Sequence, residues 1–295
     1  MADSIVSVNN LSKSFDHGRV TVFQDLSIEI PKNKVVGLIG PNGSGKTTFI
    51  KLISGMILPD DGEIFVDGHN ILKSFSVIKK MIAVVSDSNR ALYWNLSGYE
   101  NIQYFAILKG LYNNYNKSEG ERVIEQLISE LNMENFIFNK VNTYSKGMRQ
   151  KLILLMALLN SPKLLLLDEP LNGLDFENAL IIKDIIINLA QKGVSIIISS
   201  HDKYFLEEIC DLKYAIKDKK IVFAPRDIFV SKKAMAYVCL INPMVLEQFQ
   251  EYHYEIVDYQ KNIYAIEFGI NDYNFFNLIE RNLKNKFLEI LSIIS

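Results

Sequence analysis

Residues 35–47 read Val35-Val36-Gly37-Leu38-Ile39-Gly40-Pro41-Asn42-Gly43-Ser44-Gly45-Lys46-Thr47. Val35–Ile39 is a continuous apolar run, the mark of a strand buried on both faces. The segment after it matches the pattern G-x-x-x-x-G-K-[ST]. Its glycines let the backbone curl so that successive N–H groups point inward around phosphate oxygens. A helix expected from Lys46 to Ser54 adds its positive N-terminal end. Lys46 sets an ammonium against the β- and γ-phosphates of a nucleotide, and the Thr47 hydroxyl can bind Mg²⁺. Gly40, Pro41, Asn42, Gly43, Ser44, Gly45, Lys46, Thr47 and Thr48 are therefore the expected nucleotide contacts.

Leu164–Leu167, followed by Asp168 and Glu169, is a second apolar run. A strand that ends in Asp can deliver a carboxylate to a metal beside the loop. Glu169 then lies close enough to activate an attacking water. Upstream of the loop, Ile5–Val8 and Leu26–Ile30 alternate apolar with polar residues, as half-buried antiparallel strands do. Short strands are expected near Glu63–Val66 and Ile82–Val85. From Gly98 to Leu159 the period turns helical, with Ile124, Leu127, Ile128 and Leu131 on one face. A helix over Glu177–Gln191, ended by Gly193, leads to a buried strand at Val194–Ile198. Strands alternating with helices imply a parallel central sheet.

After about Pro225 no phosphate-type motif occurs. A strand near Ala236–Ile241, a helix near Met244–Tyr252, a hairpin around Gln260–Asn262, a helix through Phe275, Leu278, Ile279 and Leu283, and a last strand over Phe287–Ile294 give the order βαββαβ.

Apolar residues make up 48% and charged residues 22% of the 295, which is ordinary globular usage. The net charge of −2 gives no general attraction for nucleic acid or anionic lipid, and no basic run forms a patch for either. No apolar stretch reaches the ~20 residues of a bilayer span, and the start MADSIVSVNN does not read as a secretory signal. Any membrane role is expected to come through a separate chain. Cys210 and Cys239 suggest neither a zinc site nor a disulfide framework, as in a reduced, cytoplasmic protein.

At Tyr144-Ser145-Lys146-Gly147-Met148-Arg149-Gln150-Lys151 the chain resembles the signature motif of ATP-binding-cassette ATPases. Leu171-Asn172-Gly173-Leu174-Asp175 is similar to that family's dimer-contact loop, His201 to its switch histidine, and Phe15 to the ring it stacks on adenine. The resemblance covers about Ser4 to Ala224. It implies ATP and Mg²⁺ as cofactors, Glu169 and His201 as catalytic residues, and Thr47 and Asp168 at the metal. It also implies that Ser145 and Gly147 cap the nucleotide of a second cassette, and that Asp175 of the dimer-contact loop is a further nucleotide contact. Two sites are then buried in a dimer that closes on ATP and opens on hydrolysis.

The expected fold class is α/β: a P-loop NTPase cassette with an antiparallel β lobe, a helical insert and a small C-terminal α+β appendage of ferredoxin-like order. The expected domains are 1–230, with a helical subdomain about 97–160, and 231–295.

Two departures stand out. Lys146 and Met148 replace the usual glycine and glutamine of the signature. After Ile82–Val85, where the family usually has a glutamine that reaches the metal, the chain reads Ser86-Asp87-Ser88-Asn89-Arg90. Asp87 or Asn89 can supply an oxygen ligand, and a solvated loop is the equal alternative.

The segment Leu92–Asn101, together with YSKGMRQKL, is similar to the branch serving exporters of drugs, antibiotic peptides, lipids or polysaccharides. The resemblance implies an ATP-hydrolysing transporter subunit at the inner face of the cell membrane, held there by membrane-spanning subunits. In the family, the region around Trp94 borders the groove that receives a helical loop of the membrane subunit. The competing readings are a soluble cassette ATPase and a nucleotide sensor that barely hydrolyses ATP.

Overall fold

A computed structural model of the chain describes residues 3–86, 92–114, 116–174, 176–201 and 203–224, and then 233–240, 247–250, 252, 254–258, 263–269, 278, 281 and 288–294. The chain divides into two units, Met1–Pro225 and Arg226–Ser295.

In the first unit, β1 (Ser4–Phe15), β2 (Val20–Pro31), β4 (Asp61–Val66) and β5 (His69–Asn70) form an antiparallel sheet in the order β2-β1-β4-β5. Ile5, Val6, Val8 and Leu11 of β1 and Phe23, Leu26 and Ile30 of β2 are buried on its inner side. Both strands run longer than the alternation in the sequence suggests, because bulges interrupt it. The pairing shifts between Val8↔Ile28 and Leu11↔Leu26, where Asn10 takes a left-handed φ of 49°, and again between Leu11↔Leu26 and Lys13↔Phe23, where Asp25 does the same. Asn and Asp are the side chains that tolerate this conformation best after glycine.

A six-stranded sheet carries the site. It contains β3 (Val35–Ile39), β6 (Ile82–Ser86), β7 (Leu164–Asp168), β8 (Ser195–Ser199), β9 (Leu212–Lys217) and β10 (Lys220–Phe223), in the order β10-β9-β3-β8-β7-β6. All pairs are parallel except β9 with β10. Every residue of β3 and β8 is buried, as are the four leucines of β7. Each such aliphatic side chain contributes roughly 1.5–3 kcal/mol relative to exposure. The β9–β10 hairpin escaped the sequence reading because lysines at 213, 217, 219 and 220 mask its apolar alternation.

Register decides where the chemistry sits. Leu38 pairs with Ser199, Ser199 with Asp168, and Asp168 with Ser86, so the carboxyl ends of four parallel strands lie in one row. The crevice beyond such a row is where open parallel sheets bind ligands.

Helices complete the unit: α1 (Lys46–Ile53), α2 (Phe75–Met81), α3 (Gly98–Leu108), α4 (Leu111–Asn114), α5 (Lys117–Glu130), α6 (Lys146–Leu158), α7 (Phe176–Gln191) and α8 (Lys203–Ile209). Ser97 and Asn116 cap α3 and α5 through reciprocal bonds with Glu100 and Glu119. Of the expected helical stripe, Ile124, Ile128 and Leu131 are buried and Leu127 is half-buried. Gly193, with φ of 85°, ends the turn after α7.

In the second unit β11 (Lys233–Leu240), β12 (Tyr254–Asp258), β13 (Ile263–Gly269) and β14 (Leu288–Ile294) form an antiparallel sheet in the order β12-β13-β11-β14. Its first and third strands are central, as in a ferredoxin-like unit. Where the expected helix near Met244–Tyr252 is described, residues 247–249 form a 3-10 turn. Residues 260–262 and most of the expected helix around 275–283 lie outside the described residues; Leu278 and Arg281 are helical.

Candidate functional site

The loop between β3 and α1 is shaped by what its glycines exclude. Gly45 takes φ of 113°, and a Cβ there would lie 2.7 Å from Val22 Cγ1. A side chain at this position would be both strained and crowded. Gly45 is also the N-cap of α1; no side chain caps that end and no acidic residue lies in its first turn. The N-terminal N–H groups and the positive pole are thus left for an external anion. Ser44 Oγ is buried without a hydrogen-bond partner. An orphan of this kind calls for a polar ligand.

Lys46 is 6% exposed. Its Nζ donates to the Gly40 carbonyl at 2.7 Å and lies 3.4 Å from the Pro41 carbonyl and 3.7 Å from Glu169 Oε1. A buried ammonium needs such partners. Thr47 is exposed and Thr48 half-buried on the first turn of α1.

The acidic pair is fixed by Ser199. Its Oγ donates to Asp168 Oδ1 at 2.6 Å, and the backbone N–H of Glu169 lies 3.1 Å from both the carbonyl and the hydroxyl of Ser199. These bonds hold Glu169 at a φ of 51°, a sparsely populated conformation for glutamate. The chain turns there and sends the carboxylate back toward the loop. Glu169 Oε2 lies 2.9 Å from His201 Nδ1 and accepts from the His201 N–H at 3.3 Å. The sequence reading missed Ser199. Its signal was a hydroxyl at the carboxyl end of the aliphatic run Ile196–Ile198.

Among the described residues no cluster of three or more His, Cys, Asp or Glu side chains forms a metal cage. One carboxylate and one hydroxyl, Asp168 and Thr47, suit Mg²⁺, which keeps waters and takes phosphate oxygens alongside one or two protein ligands.

Ser145 caps α6. Its Oγ accepts from the Met148 N–H at 3.2 Å, and its own N–H approaches Met148 Sδ at 3.4 Å. Unlike α3 and α5, this helix has no acidic residue in its first turn. Its positive pole is therefore not offset locally. Gly147 is buried, and a Cβ there would collide with the side chain of Asn178 on α7, a neighbour the sequence reading also missed. Tyr144, whose hydroxyl donates to the Phe136 carbonyl at 2.8 Å, anchors the approach to the cap; burial pushes its phenol up to about 12. The hydrogen bonds of Ser145 lie within its own turn.

Phe15, 41% exposed, closes β1, and Lys13 Nζ sits 5.3 Å from its ring centroid. An exposed ring is available for stacking. Asp175 and residues 87–91, including Asp87 and Asn89, lie outside the described residues.

The family model described as ABC transporter matches residues 23–172. The ABC transporter ATP-binding protein NatA of Bacillus subtilis is 33% identical over 221 residues, 74% of this chain and 88% of that protein. The lantibiotic transport ATP-binding protein SrtF of Streptococcus pyogenes is 34% identical over 218 residues, 74% and 89% of the two chains. The bacitracin transport ATP-binding protein BcrA of Enterococcus faecalis is 34% identical over 210 residues, 70% and 65%. Among solved structures, an ATP-binding subunit of an ABC transporter superposes with a TM-score of 0.67 at 26% identity, covering 77% of this chain and 92% of that one. An ATP-binding cassette in its ADP conformation superposes with a TM-score of 0.64 at 23% identity, covering 74% and 89%, and shares the fold. The chain belongs to the ABC transporter family as an ATP-binding subunit, and it is an ATPase.

Proposed function

We propose that this chain couples ATP-driven closure of a cassette dimer to export of a substrate through separate membrane-spanning subunits, working at the inner, cytoplasmic face of the membrane. The observation that carries the reading is the convergence of Lys46, Glu169 and His201 at the mouth of the Gly40–Thr47 loop.

In this reading the loop N–H groups and Lys46 hold the β- and γ-phosphates, and Phe15 stacks on the adenine. Thr47 and Asp168 would hold Mg²⁺, which would supply charge to offset the phosphates. Glu169 accepts the proton of the attacking water, and His201 orients that carboxylate. Ser145 and Gly147 cap the nucleotide of the second copy, and Asp175 of the dimer-contact loop is a further nucleotide contact. The lantibiotic and bacitracin relatives support export of a drug, an antibiotic peptide, a lipid or a polysaccharide. The net charge of −2 gives no support to a nucleic-acid partner.

Among the described residues no helix is long and apolar enough to cross a membrane. The membrane subunits must then be held by a surface, and an aromatic one is present. Tyr93, Trp94 and Tyr104 are 46%, 42% and 40% exposed, and the rings of Tyr93 and Tyr104 meet at 4.8 Å. Exposed aromatic clusters of this kind are enriched at the energetic centres of interfaces.

The test is purification of the tagged chain from solubilised membranes. A polytopic subunit should co-purify with the wild type and be largely lost with Trp94→Ala, while ATP affinity stays unchanged. Recovery of the wild-type chain without any membrane subunit would contradict the reading.

A further inference from the structure

The guanidinium of Arg149 lies over the ring of Trp94, with Cζ 5.3 Å from the ring centroid. The same residue donates from Nη1 to the Tyr144 carbonyl, and its backbone N–H donates to the Ser145 carbonyl at 3.1 Å. Arg149 thus touches three things at once: the exposed aromatic face, the residue before the helix cap, and the cap itself.

The rest of the segment reinforces that tie. The Trp94 carbonyl accepts from the Asn142 N–H at 3.0 Å and the Leu96 carbonyl from the Val141 N–H at 2.9 Å; Ser97 bridges to Lys140. Residues 94–97 therefore run beside residues 140–144, the segment that leads into Ser145. On α3, Tyr104, Ile107 and Leu108 share the face that helical spacing gives them and are exposed at 40%, 67% and 62%.

Within this group Arg149 Nε is buried and has no partner. A guanidinium normally satisfies its donors, and an orphan is tolerated where geometry overrides it. Here the plane of the group is set by the ring below it and the carbonyl beside it. Stacking uses the flat, delocalised cation of arginine, which lysine does not reproduce.

We infer that Arg149 is a positioning residue that locks the Ser145 end of α6 to Trp94, so that nucleotide capping at Ser145 and the state of the aromatic face are coupled. The inference rests on the reading that Ser145 caps the nucleotide of a second copy. Coupling of this kind is reciprocal: whatever capping does to Trp94, an occupant of the aromatic face does to ATP-driven closure by the same factor.

Trp94 is the only tryptophan, so its fluorescence reports the contact without background. The experiment uses the full chain carrying Glu169→Gln, with ATP and Mg²⁺ as the probe. Dimer formation is followed by light scattering and Trp94 by emission and acrylamide quenching. The expected result is a change in the Trp94 quenching constant of about 1.5-fold or more that tracks dimer formation. Adding Arg149→Met should leave the dimer but abolish the Trp94 response. Arg149→Gln, which keeps an amide donor for the Tyr144 carbonyl and lacks the cation, should do the same and carries the test if the Met variant misfolds. A purely structural role would lower stability in these variants and leave the nucleotide response of Trp94 intact, which would overturn the inference. A dimer that forms while Trp94 stays silent in the Arg149 background would also overturn it. Failure to form any ATP-dependent dimer would instead overturn the reading beneath it, and the inference with it.

Discussion

His201 Nδ1 lies 2.9 Å from one oxygen of Glu169, and Lys46 Nζ lies 3.7 Å from the other. One carboxylate is therefore shared between the histidine and Lys46. In the proposed function, phosphates take the lysine and the histidine is left to set the direction of the carboxylate. The histidine side chain is 65% exposed and the glutamate 21%, so the pair spans the edge of the site rather than its floor. His201→Ala should leave ATP affinity within about twofold and slow hydrolysis by roughly 10²-fold, the lower end of the range for acid–base groups. Steady-state ATPase and equilibrium ATP binding, measured side by side, check this; an equal loss in both would make His201 a binding residue.

Ser199→Ala removes the 2.6 Å bond to Asp168 and one of the two bonds to the Glu169 N–H. Supporting bonds of this type commonly change metal affinity by roughly 10–100-fold. The apparent Mg²⁺ requirement of the ATPase should rise by about tenfold, while nucleotide binding in EDTA stays at the wild-type level. Ser199→Thr, which restores the hydroxyl, should recover most of it. An unchanged Mg²⁺ titration would show that Asp168 is held by other means.

Asp67 accepts from Lys163 at 2.7 Å and pairs with Lys32 at 2.5 Å, and these two ammonium groups hold its carboxyl at about 2. In the unfolded chain it returns to about 3.9. A depressed folded value means the stabilisation is complete above the unfolded value and is lost as pH falls through the folded one. Both lysines are partly exposed, so the pair contributes about 0.5–1 kcal/mol. Asp67→Asn should cost about that much at pH 7, with a difference that stays level to about pH 4 and shrinks below it. Urea midpoints across pH 7 to 3 measure this; a difference already gone at pH 5 would assign the effect to another group.

Much of this molecule was legible before any coordinates. Val35–Ile39 and Leu164–Leu167 are unbroken aliphatic runs, and continuous burial is the one strand pattern that leaves little room for misreading. The Gly40–Thr47 loop between β3 and α1 was legible as a turn because its glycines are demanded by backbone shape, as the φ of 113° at Gly45 shows. What stayed hidden depends on which strands become neighbours. Ser199 gains its role only because β8 pairs with β7 in a register that sets it against Asp168. Asn178 gains its role only because α7 packs its first turn against Gly147. Neither relationship is local in sequence, so no spacing rule reports it. The stack of Arg149 on Trp94 is of the same kind.

The central claim is that Glu169 accepts the proton from the attacking water, and that its removal traps a closed ATP-bound dimer. The most direct measurement is single-turnover hydrolysis by Glu169→Gln with ATP and Mg²⁺, alongside light scattering of the same sample and a Lys46→Ala control. Hydrolysis is expected to slow by roughly 10²–10⁴-fold, with a stable dimer retaining ATP, and with neither binding nor dimer in the Lys46→Ala control. Hydrolysis by Glu169→Gln at the wild-type rate, or a chain that stays monomeric with ATP bound, would contradict the claim.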